Sequence, residues 1–497
     1  MRADGKKTLR NLSLYLVAQG AQMAVPLATV PIFTRLINPE HYGVLDMLQI
    51  VMVIGIGMGN WGLLSAYERY FFAYADSEEK QRRLLGSVVG FSVLCFVAVF
   101  VALFALRHVL AVSLTGSEEW AWLLVIIMAT GILSHLNSFF QTYFRNSEQA
   151  GPCIAYDLAG LGLSTGVSLV LVIAYQYGIW GLVVGGLAGR AVVFSLYLSR
   201  FRAAALRIDW AILKESLAYG WPLMTKVLSG VINITVDKFL VGTLVSLAAL
   251  GVYGRAQAIA VAVFMMMTTV QNVYSPKWSR VLFGVDPGAA KALGMLFTDY
   301  VAIIIGPPLM LVLFSSEIVG VLLPEPYRPA IPLIIGLVVY YVILAFGKLV
   351  GTVGAFLKMT RFNGMLALVS NLVNIGLNIV LIPRYGAAGA VVVTCLVGLT
   401  STALCMVVYG GRYRVQYEKP KLGVLYGGLL ACAVLALACY YGALTYWHGL
   451  ALRIALGAIM TLLWVKVVGV KRLRQIITML LQPLNGRPTV SADDMEG

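Results

Sequence analysis

The stretch AAGAVVVTCLVGLTSTALCMVVY, residues 387–409, has 23 residues and no charged side chain. A helix needs about 20 apolar residues to cross the hydrocarbon of a bilayer. Applied outward along the chain, this criterion identifies fourteen candidate spans joined by short loops. The spans are 11–36, 42–65, 84–106, 119–142, 153–174, 177–198, 217–241, 248–273, 293–314, 330–349, 362–382, 387–409, 422–441 and 449–468.

The composition agrees with this interpretation. Of the 497 residues, 60 % are apolar and 12 % are charged, whereas soluble domains average about 45–50 % and about 25 %. The sequence therefore predicts an all-α polytopic membrane protein with about fourteen transmembrane helices. It excludes a soluble enzyme, a secreted disulfide scaffold and a disordered chain.

The positions of the basic residues predict the orientation. A net charge of +15 would suggest a nucleic-acid partner in a soluble protein. Here, however, 28 of the 37 Lys and Arg residues lie in the termini and loops on one side of the predicted spans, and 5 lie in the opposite loops. Because basic residues are retained on the cytoplasmic side, we expect both termini in the cytoplasm and no nucleic-acid partner.

The chain repeats itself with an offset of 208 residues. This offset aligns Gly43-Val44 with Gly251-Val252, and Tyr177-Gly178 with Tyr385-Gly386. Each half then holds six helices, an even number, so the halves point the same way across the membrane. Such a parallel repeat predicts two lobes about an axis along the membrane normal, with a cavity between them.

The repeat sets the predicted domain boundaries, and a stretch rich in both charged and apolar residues separates the two lobes. This stretch favours an amphipathic helix at the cytoplasmic surface, with an ordinary loop as the alternative. The segments are the N-lobe at 1–202 with helices 1–6, the linker helix at 203–216, the C-lobe at 217–416 with helices 7–12, helices 13 and 14 at 417–470, and a cytoplasmic tail at 471–497.

The sequence contains no convincing enzyme motif. Residues 162–166, GLSTG, fit GxSxG but lie inside an apolar helix, where small residues favour close packing. Residues 5–8, GKKT, lack the upstream glycine of a phosphate-binding loop. His135 is interpreted as a hydrogen-bonded packing residue, with a proton relay as the alternative. We expect no enzymatic activity, no cofactor and no metal.

Helix 7 carries a polar stripe inside the membrane. Lys226, Gly230, Asn233 and Asp237 are spaced by 4, 3 and 4 residues, so they share one face of a helix that turns 100° per residue. A charge at a helix centre costs roughly 2.5–3.5 kcal/mol, and helix docking alone does not need three polar groups in a row. The stripe is therefore interpreted as facing the lumen, with helix packing as the alternative.

Other intramembrane charges give candidate ion pairs. Arg255 in helix 8 is expected at the depth of Asp237, which predicts a pair between these two residues. Asp157 in helix 5 and Arg190 in helix 6 form a second candidate pair. Asp46 in helix 2 aligns within one residue of Arg255 under the repeat offset.

These polar residues are assigned two kinds of role. Residues proposed to bind an anionic substrate group, such as a phosphate or an acidic sugar, are Lys226, Asn233, Arg255 and Arg190. Carboxylates proposed to couple transport to an ion gradient are Asp237, Asp46 and Asp157. Helix 11 adds one face of three amides, for which substrate contact and interhelical hydrogen bonding are open alternatives: Asn371, Asn374 and Asn378.

Several short blocks resemble signatures of the oligosaccharide flippase family, the Wzx-like polysaccharide transporters of the multidrug/oligosaccharidyl-lipid/polysaccharide exporter superfamily. The blocks are TRLINPEHYG at 34–43, YGWPL at 219–223, DKFLV at 237–241, LGVY at 250–253 and NIGLNIVLIPRYGAAGA at 374–390. The resemblance covers helices 1–12 in order, whereas helices 13 and 14 agree in number only.

The resemblance implies a bacterial inner-membrane transporter driven by an ion gradient, with alternating access to the two sides. Its substrate would be an undecaprenyl-pyrophosphate-linked oligosaccharide, moved from the cytoplasmic to the periplasmic leaflet for O-antigen, capsule or exopolysaccharide synthesis. A polysaccharide polymerase and glycosyltransferases would be its partners. The alternatives are a lipid II flippase or multidrug antiporter of the same superfamily, and a non-transporting membrane subunit of a polysaccharide synthase.

Overall fold

The computed structural model describes residues 20–22, 24–147, 149–201, 208–284, 288–442 and 445–469, without the side chains at 150, 225, 226, 233, 234, 273, 360 and 468. Every regular element within these ranges is a helix, so the predicted all-α fold is confirmed. The helices are α1 (24–36), α2 (Pro39–Gly59), α3 (Leu63–Ala73), α4 (Glu78–Ala105), α5 (Arg107–Thr115), α6 (Ala121–Asn146), α7 (Ala150–Leu169), α8 (Gly178–Arg200), α9 (Trp210–Leu244), α10 (Leu247–Phe283), α11 (Ala289–Ile304), α12 (Gly306–Leu313), α13 (Ser315–Leu322), α14 (Ala330–Phe356), α15 (Thr360–Tyr385), α16 (Ala387–Gly410), α17 (Lys419–Tyr440) and α18 (Tyr446–Val468).

Twelve segments of the described chain, with α11 and α12 joined as one, are long and apolar enough to cross a membrane. They correspond to every predicted span except the first and the seventh, both of which include residues outside the described set. The protein is therefore a multi-pass membrane protein. The count of fourteen spans and the cytoplasmic termini remain predictions.

Two lobes repeat the same packing. In the first lobe, α6 packs on α2 and α8, and α8 packs on α7. In the second, α14 packs on α10 and α16, and α16 packs on α15. Each helix of the second set lies about 208 positions after its counterpart, so the predicted parallel repeat is confirmed at the level of helix packing. We call α1–α8 the N-lobe and α9–α16 the C-lobe.

The two lobes differ where α2 ends. The second predicted span ran to residue 65, but α2 ends at Gly59, and Trp61 and Gly62 adopt positive φ angles of 49° and 70° before α3 begins. The equivalent positions 268–270 lie inside the continuous helix α10. The N-lobe helix therefore breaks at a point where its C-lobe counterpart does not.

The linker and the seventh predicted span form one helix over the described residues. Helix α9 runs for 35 residues from Trp210, capped by Asp209, whose Oδ1 accepts from Ala211 N at 3.1 Å. Residues 210–216 are thus the first turns of α9 rather than a separate surface helix. Residues 203–207 of the predicted linker lie outside the described residues.

Two glycines set the crossing between the lobes. A Cβ atom at Gly43 would collide with the backbone carbonyl of Leu247, and one at Gly251 would collide with that of Pro39. Gly43 and Gly251 are the residues that the 208-residue offset aligns. Because neither has a side chain, the first turns of α2 and α10 approach each other at backbone distance.

Helices α17 and α18, the predicted helices 13 and 14, pack on α11, α12, α13 and α14 of the C-lobe. Arg453 in α18 is buried and donates through Nη1 to Glu317 Oε2 at 2.8 Å, which ties α18 to α13. Helices α17 and α18 pack on α11 and α12, and Ile305, between these two C-lobe helices, is fully buried. The equivalent N-lobe residue, Val97, lies 208 positions earlier and is 54 % exposed. The two lobes therefore share a packing pattern but differ in what covers their outer surface.

Candidate functional site

A buried carboxylate joins the lobes near the start of α2. Asp46 is 2 % exposed, and its Oδ1 lies 3.2 Å from Nζ of Lys238 in α9. Its Oδ2 lies 3.6 Å from Nη2 of Arg255 in α10. One N-lobe anion is thus held between two C-lobe cations. We call Asp46, Lys238 and Arg255 the charged contact.

The residues around the charged contact make room for it and orient it. Gly254 lies against the Asp46 carboxylate, in space that a Cβ atom would fill. The Arg255 guanidinium lies 4.2 Å from the centre of the Tyr42 ring, a cation–π distance. With two cations and one anion, the contact carries a net positive charge, so its cations have spare capacity for another anion.

Asp237 faces the interior of the C-lobe. Its Oδ1 accepts from Asn378 Nδ2 at 2.6 Å, and its Oδ2 accepts from Thr394 Oγ1 at 3.1 Å. Asn378 also donates to Asn374 Oδ1 at 3.0 Å. The predicted pair between Asp237 and Arg255 is therefore wrong. Successive helical residues point 100° apart, so Lys238 reaches the N-lobe while its neighbour faces inward.

The Asp237 cluster is rich in oxygen. The Asp237 carboxylate accepts from one amide nitrogen and one hydroxyl, and Asn374 Oδ1 accepts from the same amide nitrogen, so donors and acceptors in this cluster are paired with each other. No group of three or more His, Cys, Asp or Glu residues that could hold a metal lies in the described part of the chain. Asn378, one member of the predicted Asn face on α15, thus makes the interhelical hydrogen bond that was one of its two interpretations, whereas its bond to Asn374 lies within α15.

The second predicted pair is not formed either. Asp157 accepts from Gln141 Nε2 at 2.8 Å, and the backbone carbonyl of Arg190 accepts from Asn137 Nδ2 at 3.2 Å. All these groups belong to α6, α7 and α8 of the N-lobe. Asp157 is thus held by an amide rather than by a guanidinium, because the Arg190 side chain is exposed.

Of the polar stripe, the structure places Asp237, whose side chain faces the interior of the C-lobe rather than the lobe interface, and Gly230. The side chains of Lys226 and Asn233 lie outside the described residues, so their contact with the lumen remains a prediction. A Cβ atom at Gly230 would meet nothing within 4 Å. This face of α9 is therefore open at its middle.

A second cross-lobe contact lies at the other end of α2 and is built from aromatic rings. The indoles of Trp61 and Trp221 face each other with centroids 5.2 Å apart and planes tilted by 33°. The Tyr70 and Tyr219 rings meet edge to face at 6.1 Å. Beside them, Gly62 touches the backbone of Gly220 on α9. This contact was not predicted from the sequence, although the YGWPL block contains its C-lobe residues Tyr219 and Trp221.

Polar groups flank these rings. The Arg69 guanidinium lies 4.5 Å from the Tyr219 ring centre, and Tyr74 Oη donates to Glu215 Oε2 at 2.8 Å. Partial burial and the hydrogen bond to Glu215 raise the pKa of Tyr74 to about 12, so its hydroxyl remains a donor at physiological pH. We call this set the aromatic contact; its members are Trp61, Arg69, Tyr70, Tyr74, Glu215, Tyr219 and Trp221.

His135 supports the break in α2. One ring nitrogen lies 3.2 Å from Asn60 Oδ1, at the last turn before Trp61. Its ring meets Phe96 and Phe139 edge to face at 5.3 and 5.5 Å. His135 is therefore a hydrogen-bonded packing residue, as the first of its two interpretations expected.

Together, the duplicated helix packing and the two contacts across the lobe interface define a two-lobed, multi-pass membrane protein. The chain belongs to the polysaccharide biosynthesis protein family, whose profile matches residues 32–332. No curated protein sequence compared with this chain matches it significantly.

Solved structures share the fold at low sequence identity. The lipid II flippase MurJ in an inward closed conformation has a TM-score of 0.67 at 14 % identity, covering 93 % of this chain and 99 % of that one. A multidrug resistance MATE family transporter of the MOP superfamily has a TM-score of 0.59 at 13 % identity in its inward-facing conformation, covering 82 % and 98 %. An outward-facing structure of a MATE family transporter gives 0.55 at 15 % identity, covering 82 % and 96 %. These similarities show that the chain has the fold of MurJ and of the MATE family transporters.

Proposed function

We propose that this protein is a flippase for undecaprenyl-pyrophosphate-linked oligosaccharides, moving them from the cytoplasmic to the periplasmic leaflet of the bacterial inner membrane. One observation carries the proposal: on α9 the polar stripe at 226–233 lies between the two cross-lobe contacts. A compartment with a closure at each end is what alternating access requires. With the predicted orientation, the charged contact lies at the periplasmic end and the aromatic contact at the cytoplasmic end.

The lumen residues would bind the pyrophosphate. Lys226 and Arg255 supply positive charge from neighbouring helices, Asn233 adds an amide, and Arg190 is an additional cation on the N-lobe. At 3.6 Å the bond from Arg255 to Asp46 is longer than a good hydrogen bond. An entering phosphate oxygen would therefore compete well for this guanidinium, and its arrival would weaken the charged contact.

Ion coupling is assigned to Asp46 and Asp237. Protonation of Asp46 would remove the anion that holds Lys238 and Arg255 and so favour lobe separation at that end. Asp237 precedes Lys238 on the same helix, so a proton or cation bound at Asp237 would change the orientation of that turn. Asp157 makes its hydrogen bond within one lobe, and we expect the weakest coupling effect there.

Export in cells tests the substrate site. With the chromosomal copy replaced, Arg255→Ala or Lys226→Ala should lower surface glycan at least tenfold at normal protein abundance. Arg255→Lys should restore part of the surface glycan if charge alone matters, and little of it if a bidentate contact with phosphate matters. Arg328→Ala, in an exposed loop position, is the control. Full export by both alanine variants would overturn the lumen assignment and favour a non-transporting subunit.

Reconstitution tests the substrate and the coupling. Vesicles containing the purified protein should translocate the lipid-linked oligosaccharide when a proton or sodium gradient is imposed across the membrane. Asp237→Asn should abolish dependence on that gradient, whereas Asp157→Asn should retain it. Transport of lipid II or of an organic cation in place of the glycan would replace this function with that of another exporter of the superfamily.

A further inference from the structure

We infer that the aromatic contact is also a carbohydrate-binding site, in which Trp61 and Trp221 stack on sugar rings of the substrate once the lobes separate. This inference rests on the proposed function. It adds a recognition site for the glycan itself, distinct from the cations proposed to bind the pyrophosphate.

The two indoles belong to opposite lobes and are already accessible at their edges. Trp61 follows α2 in the N-lobe, and Trp221 lies on α9 in the C-lobe, with a ring separation of 5.2 Å. Trp221 is 56 % exposed even in this closed arrangement, and Trp61 is half-buried. Separation of the lobes would uncover two aromatic faces, whose planes are tilted by 33°, at the mouth of the interface.

The chemistry around these faces suits a sugar. A pyranose ring has an apolar face of C–H groups and a rim of hydroxyl groups, so it needs an aromatic surface bordered by hydrogen-bonding groups. Arg69 supplies donors on one lobe, and Glu215 supplies acceptors on the other. Both side chains are exposed. A seal against water alone could be made from aliphatic side chains, without these polar partners.

The position agrees with the path of the substrate. A glycan cannot enter the hydrocarbon of the bilayer, so it reaches the protein from the aqueous side while its prenyl chain stays in the membrane. With the predicted orientation, the aromatic contact is the first part of the lobe interface that the glycan meets. The stripe at 226–233 lies further along α9 and would follow.

An alternative explanation is that these rings belong to the aromatic belt that many membrane proteins place at the bilayer surface. The chain contains a matched control for this explanation. Trp210 is 69 % exposed, lies at the start of α9 and is outside the aromatic contact. A belt residue and a sugar-binding residue should respond differently to the presence of sugar.

Binding to the full-length protein in lipid nanodiscs tests the inference with two probes. One is the lipid-linked oligosaccharide extracted from membranes of cells that synthesise it, and the other is undecaprenyl pyrophosphate without sugar. Trp61→Leu and Trp221→Leu should each lower the affinity for the first probe relative to that for the second about tenfold, because a change in lobe opening alters both affinities by the same factor. Trp61→Phe should retain affinity within about threefold, because it keeps a stacking face. Trp210→Leu should change neither.

The outcomes separate the two proposals. Equal changes in affinity for both probes would mean that these tryptophans act only through lobe closure, and no change for either would mean that sugar does not bind there. Both results overturn the inference while leaving the flippase assignment intact. Wild-type protein that binds neither probe would overturn the proposed function and, with it, this inference. Normal elution of each variant as a single species excludes misfolding as the cause.

Discussion

The charged and the aromatic contacts join the same two lobes with opposite kinds of chemistry. At one end, Asp46 is almost completely buried between two cations. At the other, partly exposed rings meet face to face and edge to face. Ionic closure depends on the presence of each charge, because removal of one partner leaves the others buried and uncompensated. Aromatic closure is the sum of several weaker ring contacts and hydrogen bonds, so it tolerates the loss of any one of these interactions.

The largest effect should follow from removing the single anion. Asp46→Asn leaves Lys238 and Arg255 without a counter-charge, at a cost of about 3 kcal/mol, or roughly a hundredfold in the open-to-closed ratio. The measurement is maleimide labelling of Met47→Cys, a fully buried position beside Asp46, in a protein whose six native cysteines are replaced by alanine. Labelling should accelerate by about that factor.

A charge exchange is the control for this variant. Asp46→Lys combined with Lys238→Asp restores one cross-lobe pair and should recover most of the protection from labelling. Protection that is equally lost in the single and the exchanged variant would mean that shape, rather than charge, closes this end.

A smaller effect is expected at the aromatic contact. Trp61→Leu removes one stacked pair, which contributes about 1 kcal/mol, or about fivefold. The cysteine probe here is Ser216→Cys, which replaces a fully buried residue of α9. A hundredfold acceleration of labelling would show that one ring holds this end closed and that the contrast between the contacts is false.

A single hydroxyl should have less effect still. Tyr74→Phe removes the hydrogen bond to Glu215 Oε2 and keeps the ring, so labelling at Ser216→Cys should rise by about threefold or less. An effect as large as that of Trp61→Leu would place the strength of this contact in its polar border rather than in its stacked rings.

The smallest effect concerns pH. Because the pKa of Tyr74 is raised to about 12, its hydroxyl stays protonated below that value and continues to donate. Labelling at Ser216→Cys, normalised to the same cysteine in unfolded protein, should stay within about twofold between about pH 6 and about pH 9. A steeper dependence would show that another group titrates in this contact.

Much of the fold follows from the sequence because apolar length and glycine position act locally. The spans follow from the 20-residue criterion, and the repeat offset identified Gly43 and Gly251, which set the crossing of the lobes. The break at Trp61 and the continuity of α9 were not predicted. Both depend on packing across the lobe interface, which periodicity along one helix does not encode.

The site was predicted in residue type but not in pairing. Asp237 and Arg255 were matched by depth alone, whereas the structure pairs Arg255 with Asp46 and gives Asp237 two neutral partners. The depth of a residue in the membrane is only one part of its position. The direction in which its side chain projects from the helix axis is independent of that depth. Lys238 was not among the predicted site residues, and for Arg255 the available signal was its repeat alignment with Asp46.

Helix α9 has a mechanical consequence because it takes part in both contacts. Glu215 lies near one end and Lys238 near the other, about 35 Å apart at 1.5 Å per residue. If α9 moves as a rigid body, a tilt of about 8° is enough to displace one end of the helix by about 5 Å relative to the other. A torque applied at either end is therefore felt at both, and Pro222, inside the helix near the aromatic end, is the point at which this stiffness is lowest.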